Sequence, residues 1–163
     1  MIARGTESDS IHFTVTDPNV VTNTEGIVFA EGSMPTNFSV EGDTTGSFFT
    51  FCKFSEMSSS NNGSCVEIEG GHSSSNYYRT GPMVLFKSCH FYNNEASKGG
   101  AFYGYGIFQN TNFVNNISSD RGGALYLNAN SEFLNCKFIT NHSDIAGGAI
   151  YQGYNDNELS STT

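Results

Sequence analysis

The sequence predicts an all-β chain folded as a right-handed parallel β-helix (solenoid) with about 22–25 residues per coil. Three observations predict this fold class. A hexapeptide that begins and ends with Phe recurs along the chain, a Phe-x-x-Asn segment overlaps its end, and a Gly-Gly-Ala segment follows. Because the order and the phase of these segments are kept, they indicate one supersecondary unit stacked on itself.

Four copies of the unit can be recognised. Their hexapeptides occupy residues 49–54, 86–91, 108–113 and 133–138, and the first copy is degraded, with Met57 where Asn is expected. From one second Phe to the next the steps are 37, 22 and 25 residues, and the long step contains an insertion at residues 71–84. Leucine-rich repeats have a similar period, but the Leu lattice of that class is absent here.

Each unit is expected to contain two or three short strands joined by turns. β-branched and aromatic residues alternate with the turn pairs Asn-Asn and Gly-Gly, which favours strands over helices. Parallel coils lie about 4.7–4.9 Å apart, so a residue type repeated at one phase stands above its copy. The sequence therefore predicts side-chain ladders that run along the axis of the β-helix.

Two Phe ladders, one Asn ladder and one column of small side chains are predicted. We expect each buried Phe to contribute ~1.5–3 kcal/mol to stability. The ladder members are Phe49, Phe86, Phe108 and Phe133; Phe54, Phe91, Phe113 and Phe138; and Asn94, Asn116 and Asn141. The small column is Cys52, Cys89, Thr111 and Cys136.

The Asn and Gly residues are expected at bends between strands. Asn tolerates an unusual φ and can bond to the backbone of the next coil, while Gly-Gly adopts conformations that a Cβ resists. A tight interior corner is expected at Ala101, Ala124 and Ala149. For the strand after Gly-Gly, the sequence does not decide which side chains face the core. The segment 66–68 favours Val66 and Ile68 inside, whereas the segment 125–127 favours the opposite parity.

One domain is predicted, in three parts. Residues 1–48 are irregular N-terminal β coils or a cap, residues 49–152 are the β-helix repeats, and residues 153–163 are a polar tail. Within the first part, the β-prone segments 10–15, 26–30 and 38–40 favour further irregular coils.

The charge balance excludes some classes of partner. Seven basic and sixteen acidic residues give a net charge of −9, which argues against nucleic acid and against anionic lipid. Lys53, His90 and Lys137 share one outward phase, but Asn112 interrupts them, so we expect a solvated face there. No segment reaches the ~18–20 apolar residues of a membrane span, and the N-terminus has no signal-peptide core.

The four cysteines are predicted to be buried thiols and not a disulfide framework. Three of them share one column and are spaced by whole coils, although a disulfide between Cys52 and Cys89 stays conceivable. No Cys-x-x-Cys occurs and the four His residues lack ligand spacing, so neither a metal nor another cofactor is expected.

The alternating Phe-x-x-Asn and Gly-Gly-Ala-[Leu/Ile] segments resemble the repeat of polymorphic outer membrane proteins, which are β-helical surface adhesins of bacterial autotransporter type. The matching segments are 91–102, 113–125 and 138–150. The resemblance implies a cell-surface or secreted location, a non-enzymatic adhesin-like role, and a host-cell or extracellular glycan or protein as partner. It implies no cofactor.

Members of that family are longer, with a signal peptide and a membrane anchor. We therefore expect a fragment of a larger protein or a module that associates end to end with another chain, since an uncapped last coil exposes strand edges. A cap formed by residues 1–12 or 152–163 is the alternative.

A pectate-lyase-like, polysaccharide-processing enzyme is the alternative function, because such enzymes also use β-helices. Glycosidic chemistry needs two carboxylates about 5–9.5 Å apart on one face. Here Glu95, Asp120 and Asp144 follow their Phe residues at different distances. Asp120 with Arg121 is the closest approach to a catalytic pair, but Asp is common before a turn. We predict no catalytic residue.

The candidate binding residues are Tyr77, Tyr78 and Arg79, which lie in the Ser-rich insertion at residues 71–84. Tyr and Arg are enriched at interfaces, and a loop that interrupts a rigid repeat is a common place for recognition. A tolerated insertion without a binding role is the alternative.

Overall fold

The computed structural model describes residues 1–14, 26–30, 37–38, 44–45, 47–69 and 84–153, and of residues 37–38 and 44–45 the backbone alone. In this described part, twenty short strands and no helix are present. Most of the strands belong to parallel sheets that surround one apolar core.

The strands follow one another as five coils. The first coil contains β1 (Ile2–Arg4), β2 (Ile11–Thr14) and β3 (Ile27–Phe29), and the antiparallel pair β4 (Asn37–Phe38) and β5 (Thr44–Thr45) comes after it. The second coil contains β6 (Ser47–Thr50), β7 (Cys52–Ser55) and β8 (Val66–Ile68). The third contains β9 (Val84–Lys87), β10 (His90–Tyr92), β11 (Glu95–Ala96) and β12 (Phe102–Gly104). The fourth contains β13 (Gly106–Gln109), β14 (Asn112–Val114), β15 (Ile117–Ser118) and β16 (Leu125–Leu127). The fifth contains β17 (Glu132–Leu134), β18 (Lys137–Ile139), β19 (His142–Ser143) and β20 (Ile150–Gln152).

Each coil contributes one strand to each of three five-stranded parallel sheets. The first sheet has the order β1-β6-β9-β13-β17, the second β2-β7-β10-β14-β18, and the third β3-β8-β12-β16-β20. A small sheet of two-residue strands, β11-β15-β19, lies between the second and the third along the chain. The predicted fold class, a parallel β-helix, is confirmed.

The register shows that like residues stand above like residues. Phe91 pairs with Phe54 on one side and with Phe113 on the other, and Phe113 pairs with Phe138. Steps of 37, 22 and 25 residues therefore each complete one coil. The long step includes the insertion predicted at residues 71–84. Val84 belongs to β9 and pairs with Ser47 and Gly106, so the predicted end of the insertion is wrong by one residue.

Stacked Phe rings fill the core. Successive rings of the first ladder lie 5.0, 5.3 and 5.2 Å apart, and those of the second ladder 4.5, 5.0 and 4.9 Å apart, with nearly parallel planes. The two ladders meet edge to face, as at Phe86 and Phe91 with 5.4 Å between centroids. Both arrangements are favourable for aromatic quadrupoles, so the ladders add to the stability gained by burial alone. Phe13 extends the second ladder into the first coil, 4.8 Å from Phe54.

A buried Asn ladder runs beside the rings. The Asn116 amide nitrogen donates to the carbonyl of Phe91 at 3.0 Å and to Oδ1 of Asn141 at 3.0 Å. Its Oδ1 accepts from the side chain and the backbone N–H of Asn94 at 2.9 and 3.2 Å. Asn94 repeats this pattern one coil earlier with the carbonyl of Phe54 and the N–H of Met57. The ladder thus satisfies buried backbone groups that the strands leave unpaired at this corner.

The ladder Asn residues are not the ones with unusual φ, so that expectation was wrong. The left-handed residue is the one just before each ladder position: Glu56, Asn93, Asn115 and Thr140, with φ between 52° and 58°. At the corner between the first two sheets, the same left-handed conformation occurs at Phe51, Ser88, Asn110 and Asn135. The ladder amides also bond to the carbonyl of the preceding coil and not to the backbone of the next coil.

The third sheet keeps one parity throughout. Val66 pairs with Phe102, Phe102 with Leu125, and Leu125 with Ile150, and all four contact the main core. The opposite parity suggested for residues 125–127 was wrong, because Leu125 and Leu127 face the core while Tyr126 stacks outside between two other Tyr residues.

The Gly-Gly pair serves two different purposes. Gly122 adopts φ +70°, and a Cβ there would lie 2.1 Å from the carbonyl oxygen of Leu125. At Gly123 a Cβ would lie 2.0 Å from the carbonyl of Gly148 in the next coil. The first Gly is therefore needed for the turn and the second for close stacking of coils. The buried Ala101 and Ala124 follow these pairs and continue the stacking through backbone hydrogen bonds.

Candidate functional site

The candidate binding residues Tyr77, Tyr78 and Arg79 lie outside the described residues. The structure gives only the strands on either side of the insertion: β8 ends at Ile68 in the third sheet, and β9 begins at Val84 in the first sheet. These two strands belong to the second and the third coil.

The small column beside the second Phe ladder acts as a row of hydrogen-bond donors. Thr111 donates through Oγ1 to the carbonyl of Phe86 in the preceding coil at 3.3 Å. Cys89 and Cys136 make the corresponding contacts through Sγ to the carbonyls of Phe49 and Phe108, at 3.5 and 3.3 Å. The shared role explains why Thr can replace Cys here, since both carry a short donor on Cβ.

The four cysteines are free thiols, and their pKa values are shifted in different directions. Burial raises the pKa of Cys65 and of Cys136. A hydrogen bond with Cys52, together with burial, raises the pKa of Cys89. A hydrogen bond with Cys89 lowers the pKa of Cys52, but Cys52 is fully buried. A thiol nucleophile needs both a lowered pKa and access to solvent, and none of the four side chains has both.

The carboxylates considered for the enzymatic alternative do not form a column of acids in the structure. Glu95 pairs in register with Ile117, which pairs with His142. Asp120 contacts the adjacent Arg121, with 3.6 Å between Oδ1 and Nε. Within the described sheets no strand carboxylate has another carboxylate as its register partner. Among the described residues, no group of three His, Cys, Asp or Glu side chains could hold a metal ion.

The outer face of the third sheet carries a Tyr row. Tyr103 and Tyr126 stack with 5.0 Å between centroids, and Tyr126 and Tyr151 lie 5.1 Å apart. Lys98 lies 5.3 Å from the ring centre of Tyr126, and Arg121 lies 5.3 Å from that of Tyr151. Each cation thus lies over the Tyr ring of the following coil. This cation–π contact joins neighbouring coils on the outer face of the sheet.

The outer face of the second sheet carries a basic column. Lys53 pairs in register with His12 and with His90, and Asn112 separates His90 from Lys137. Burial, and then the charge of Lys53, lowers the pKa of His90. Sequence reasoning found three members of this column but missed His12. The signal for His12 was the dipeptide His12-Phe13, which repeats the spacing of His90 and Phe91.

Apolar side chains also lie outside the main core. Phe48, Leu85 and Ile107 form a second cluster on the outer face of the first sheet, each no more than 8% exposed. In the last coil, Leu134, Ile139 and Ile145 are 55%, 47% and 65% exposed. The repeat analysis, which concerned the inward positions, predicted neither group.

Residues 110–128 match the Chlamydia polymorphic membrane protein repeat. The chain carries a repeat of this type. The resemblance drawn from the motifs is thereby confirmed, and the matched polymorphic membrane protein segment comprises most of the fourth coil, from the corner at Asn110 through β14, β15 and β16. It includes the Phe113–Asn116 and Gly122–Leu125 segments. Comparison with curated proteins and with solved structures gives no significant match.

Polymorphic membrane proteins are non-enzymatic proteins associated with the outer membrane and the cell surface. In the described part of this chain, no helix has the length and apolar character that crossing a bilayer requires.

Proposed function

We propose that this chain is a non-enzymatic, adhesin-like β-helix domain of a larger surface or secreted protein. The observation that carries the proposal is that the coil matching a polymorphic membrane protein repeat, at residues 110–128, stacks in register with the coils before and after it. The Phe positions of the core are repeated, whereas the outward positions of the second sheet change from coil to coil, as Lys53, His90 and Asn112 do. Such a rod offers a rigid frame on which recognition residues vary without disturbing the fold.

The insertion between Ile68 and Val84 supports a binding role for Tyr77, Tyr78 and Arg79. The flanking strands β8 and β9 are buried and paired on both sides, so they hold the ends of the loop. A loop anchored on a rigid scaffold loses less conformational entropy on binding than a free segment. The proposed partner is a host-cell or extracellular glycan or protein.

A cell-binding experiment tests this proposal. The triple variant Y77A/Y78A/R79A should bind host-cell surfaces at least about tenfold more weakly than wild type, because buried Tyr and Arg dominate many interfaces. The matched control is S73A/S74A/S75A, which changes three polar residues of the same loop and should bind normally. Equal binding by all three proteins would remove the loop from the proposal. Failure of the wild type to bind any cell surface would overturn the adhesin role itself.

The enzymatic alternative has its own readout. Purified protein is incubated with uronic-acid polymers, and absorbance is followed for unsaturated products. We expect no product. Turnover that Asp120→Ala abolishes would replace the adhesin proposal by a polysaccharide lyase.

End-to-end self-association is a further part of the proposal. The strands of the fifth coil are the last in each sheet, and Leu134 and Ile139 are exposed there. An exposed edge with apolar side chains favours addition of another coil. Sedimentation equilibrium should show concentration-dependent association that Ile139→Lys weakens, and a monomer at all concentrations would contradict it.

A further inference from the structure

A row of basic side chains lies along the corner between the first and second sheets. We name the following residues the basic stripe: Arg4 and Lys87 at the end of the first sheet, and His12, Lys53, His90 and Lys137 at the start of the second. The stripe contains four of the seven Lys and Arg residues of the chain. All but Lys53, which is half-buried, are exposed. A chain of net charge −9 thus concentrates its positive charge on one edge.

The stripe cations are not neutralised by the described part of the chain. Asp120 and Asp144 contact Arg121 and His142, away from the stripe. Among the described residues no carboxylate forms an ion pair with Lys53, Lys87 or Lys137. The positive charge of Lys53 instead acts on His90 in the next coil. A row of basic side chains that has no carboxylate partner in the described part of the chain favours an anionic ligand.

A cleft lies in the middle of the stripe. It has a volume of about 230 Å³, and its walls include Lys53 and His90 together with Ser10, Ser88 and Asn110. These hydroxyl and amide groups can bond to the hydroxyl groups of a sugar, while the two basic side chains can contact a carboxylate or a sulfate. Glu7 also lines the cleft and would oppose an anion.

The shape of the stripe favours a linear ligand. Neighbouring coils lie about 4.8 Å apart, so the basic side chains of the five coils extend over roughly 19 Å along the axis of the β-helix. The stripe is only two columns wide, whereas a lipid surface requires a broad basic face.

We propose that the basic stripe binds a linear anionic polysaccharide that lies along the axis of the β-helix, with an acidic group in the cleft beside Lys53 and His90. Screening at physiological salt extends over about 8 Å, so a thin chain on the stripe interacts mainly with the stripe. The site is distinct from the 71–83 loop and does not depend on the adhesin proposal, because purified polymer and purified protein suffice to detect it.

Heparin and polygalacturonate are the probes, and calorimetry at about 50 mM salt measures their affinity. The K53Q/K87Q variant should bind about tenfold more weakly than wild type. The matched control K98Q/R121Q removes the same charge from the Tyr row and should change the affinity less than about twofold. E7Q should bind more tightly than wild type, because it removes the opposing charge from the cleft. Thermal unfolding of each variant shows whether the fold is kept.

Three results would overturn the proposal. The first is no binding of either polymer by the wild type. The second is an equal loss of affinity in K53Q/K87Q and in the folded control, which would indicate an effect of net charge alone. The third is tighter binding of duplex DNA or of anionic phosphatidylserine vesicles than of either polysaccharide, which would identify a different partner for the stripe.

Discussion

Phe113 illustrates how one side chain contributes to two interfaces. It is fully buried, and its ring lies between Phe91 at 5.0 Å and Phe138 at 4.9 Å. It also contacts the other ladder at Phe108, with 5.5 Å between centroids. Loss of this ring would leave a cavity between two coils whose backbones are fixed by hydrogen bonds, so the surroundings cannot collapse around it.

We therefore expect Phe113→Ala to lower the free energy of unfolding by ~3–5 kcal/mol, a large part of the ~5–15 kcal/mol typical of a domain. Phe133→Ala is the matched control, since Phe133 occupies the other ladder in the last coil and is 38% exposed. It should cost only ~1–2 kcal/mol. Urea unfolding measures both values, and equal losses would contradict the ladder as the main source of stability.

Asn116 stabilises the same region by polar contacts. Its removal would leave the carbonyl of Phe91 and the N–H of Asn94 without their side-chain partner in a buried corner. Asn116→Ala should cost about 2–4 kcal/mol, because each orphaned buried group costs ~1–3 kcal/mol. Asn112→Ala, whose side chain faces outward toward His90, should change stability by no more than ~0.5 kcal/mol. An unchanged free energy of unfolding in Asn116→Ala would contradict the stabilising role of the Asn ladder.

His90 provides a test by pH. Its pKa is lowered in the folded chain by burial and by Lys53, so protonation opposes folding. Stability should therefore decrease as the pH falls below the ordinary His value of about 6.5. Lys53→Gln should raise the pKa of His90 and reduce this loss, whereas Lys137→Gln, two coils away, should not. NMR titration of the His90 ring measures the pKa, and an unchanged value in Lys53→Gln would exclude the coupling.

The sequence predicts the environment of some residues better than the backbone conformation of others. The Phe and Asn ladder positions repeat in type, so their shared environment could be inferred from the motif. The left-handed corner positions repeat only partly in type. Asn occupies half of them, whereas the others are Phe51, Ser88, Glu56 and Thr140. Stacking of the neighbouring coils imposes this φ, and residue preference alone does not reveal it.

At the scale of the element, the turn before the third sheet is the most constrained segment. Gly99, Gly122 and Gly147 all adopt positive φ, and Gly63 does so in the degraded copy. The next Gly allows the backbone of one coil to approach the next. The degraded copy retains Gly63 at the position of positive φ, while Ser64 takes the second position and donates its hydroxyl to the carbonyl of Gly100 in the next coil.

A comparison of two glycines in this element tests the explanation. Gly122→Ala should cost about 2 kcal/mol or more, because of its φ and of the 2.1 Å approach to Leu125. Gly148→Ala should be close to neutral, since Gly148 lacks positive φ and its nearest neighbour would lie 3.8 Å from a Cβ. Thermal unfolding with circular dichroism measures both, and equal destabilisation would contradict separate roles for the two positions.

The strands of the first coil were harder to predict than those of the repeats. β1, β2 and β3 extend the three sheets, although their sequences lack the motif. Phe13 takes its place in the second Phe ladder, but Ala3 replaces Phe in the first. In the described sheets β1, β2 and β3 each pair with one neighbouring strand, so fewer positions of this coil are fixed by stacking.

At the scale of the molecule, the fold could be predicted because a β-helix repeats its contacts at a constant phase. The surface could not be predicted as well, because outward residues are free to vary. The basic stripe combines residues from two sheets, and Arg4 and His12 come from the coil without a motif. Only the register shows that Lys87 and Lys53 flank one corner.

The central claim is that successive coils stack in register, with Phe113 between Phe91 and Phe138. Inter-strand NOEs from labelled protein test it most directly. We predict contacts between the backbone protons of Phe113 and those of residues paired with it 22 and 25 positions away, in the pattern of parallel strands. Antiparallel contacts between β13 and β14, or no contact between Phe113 and Phe138, would contradict the β-helix.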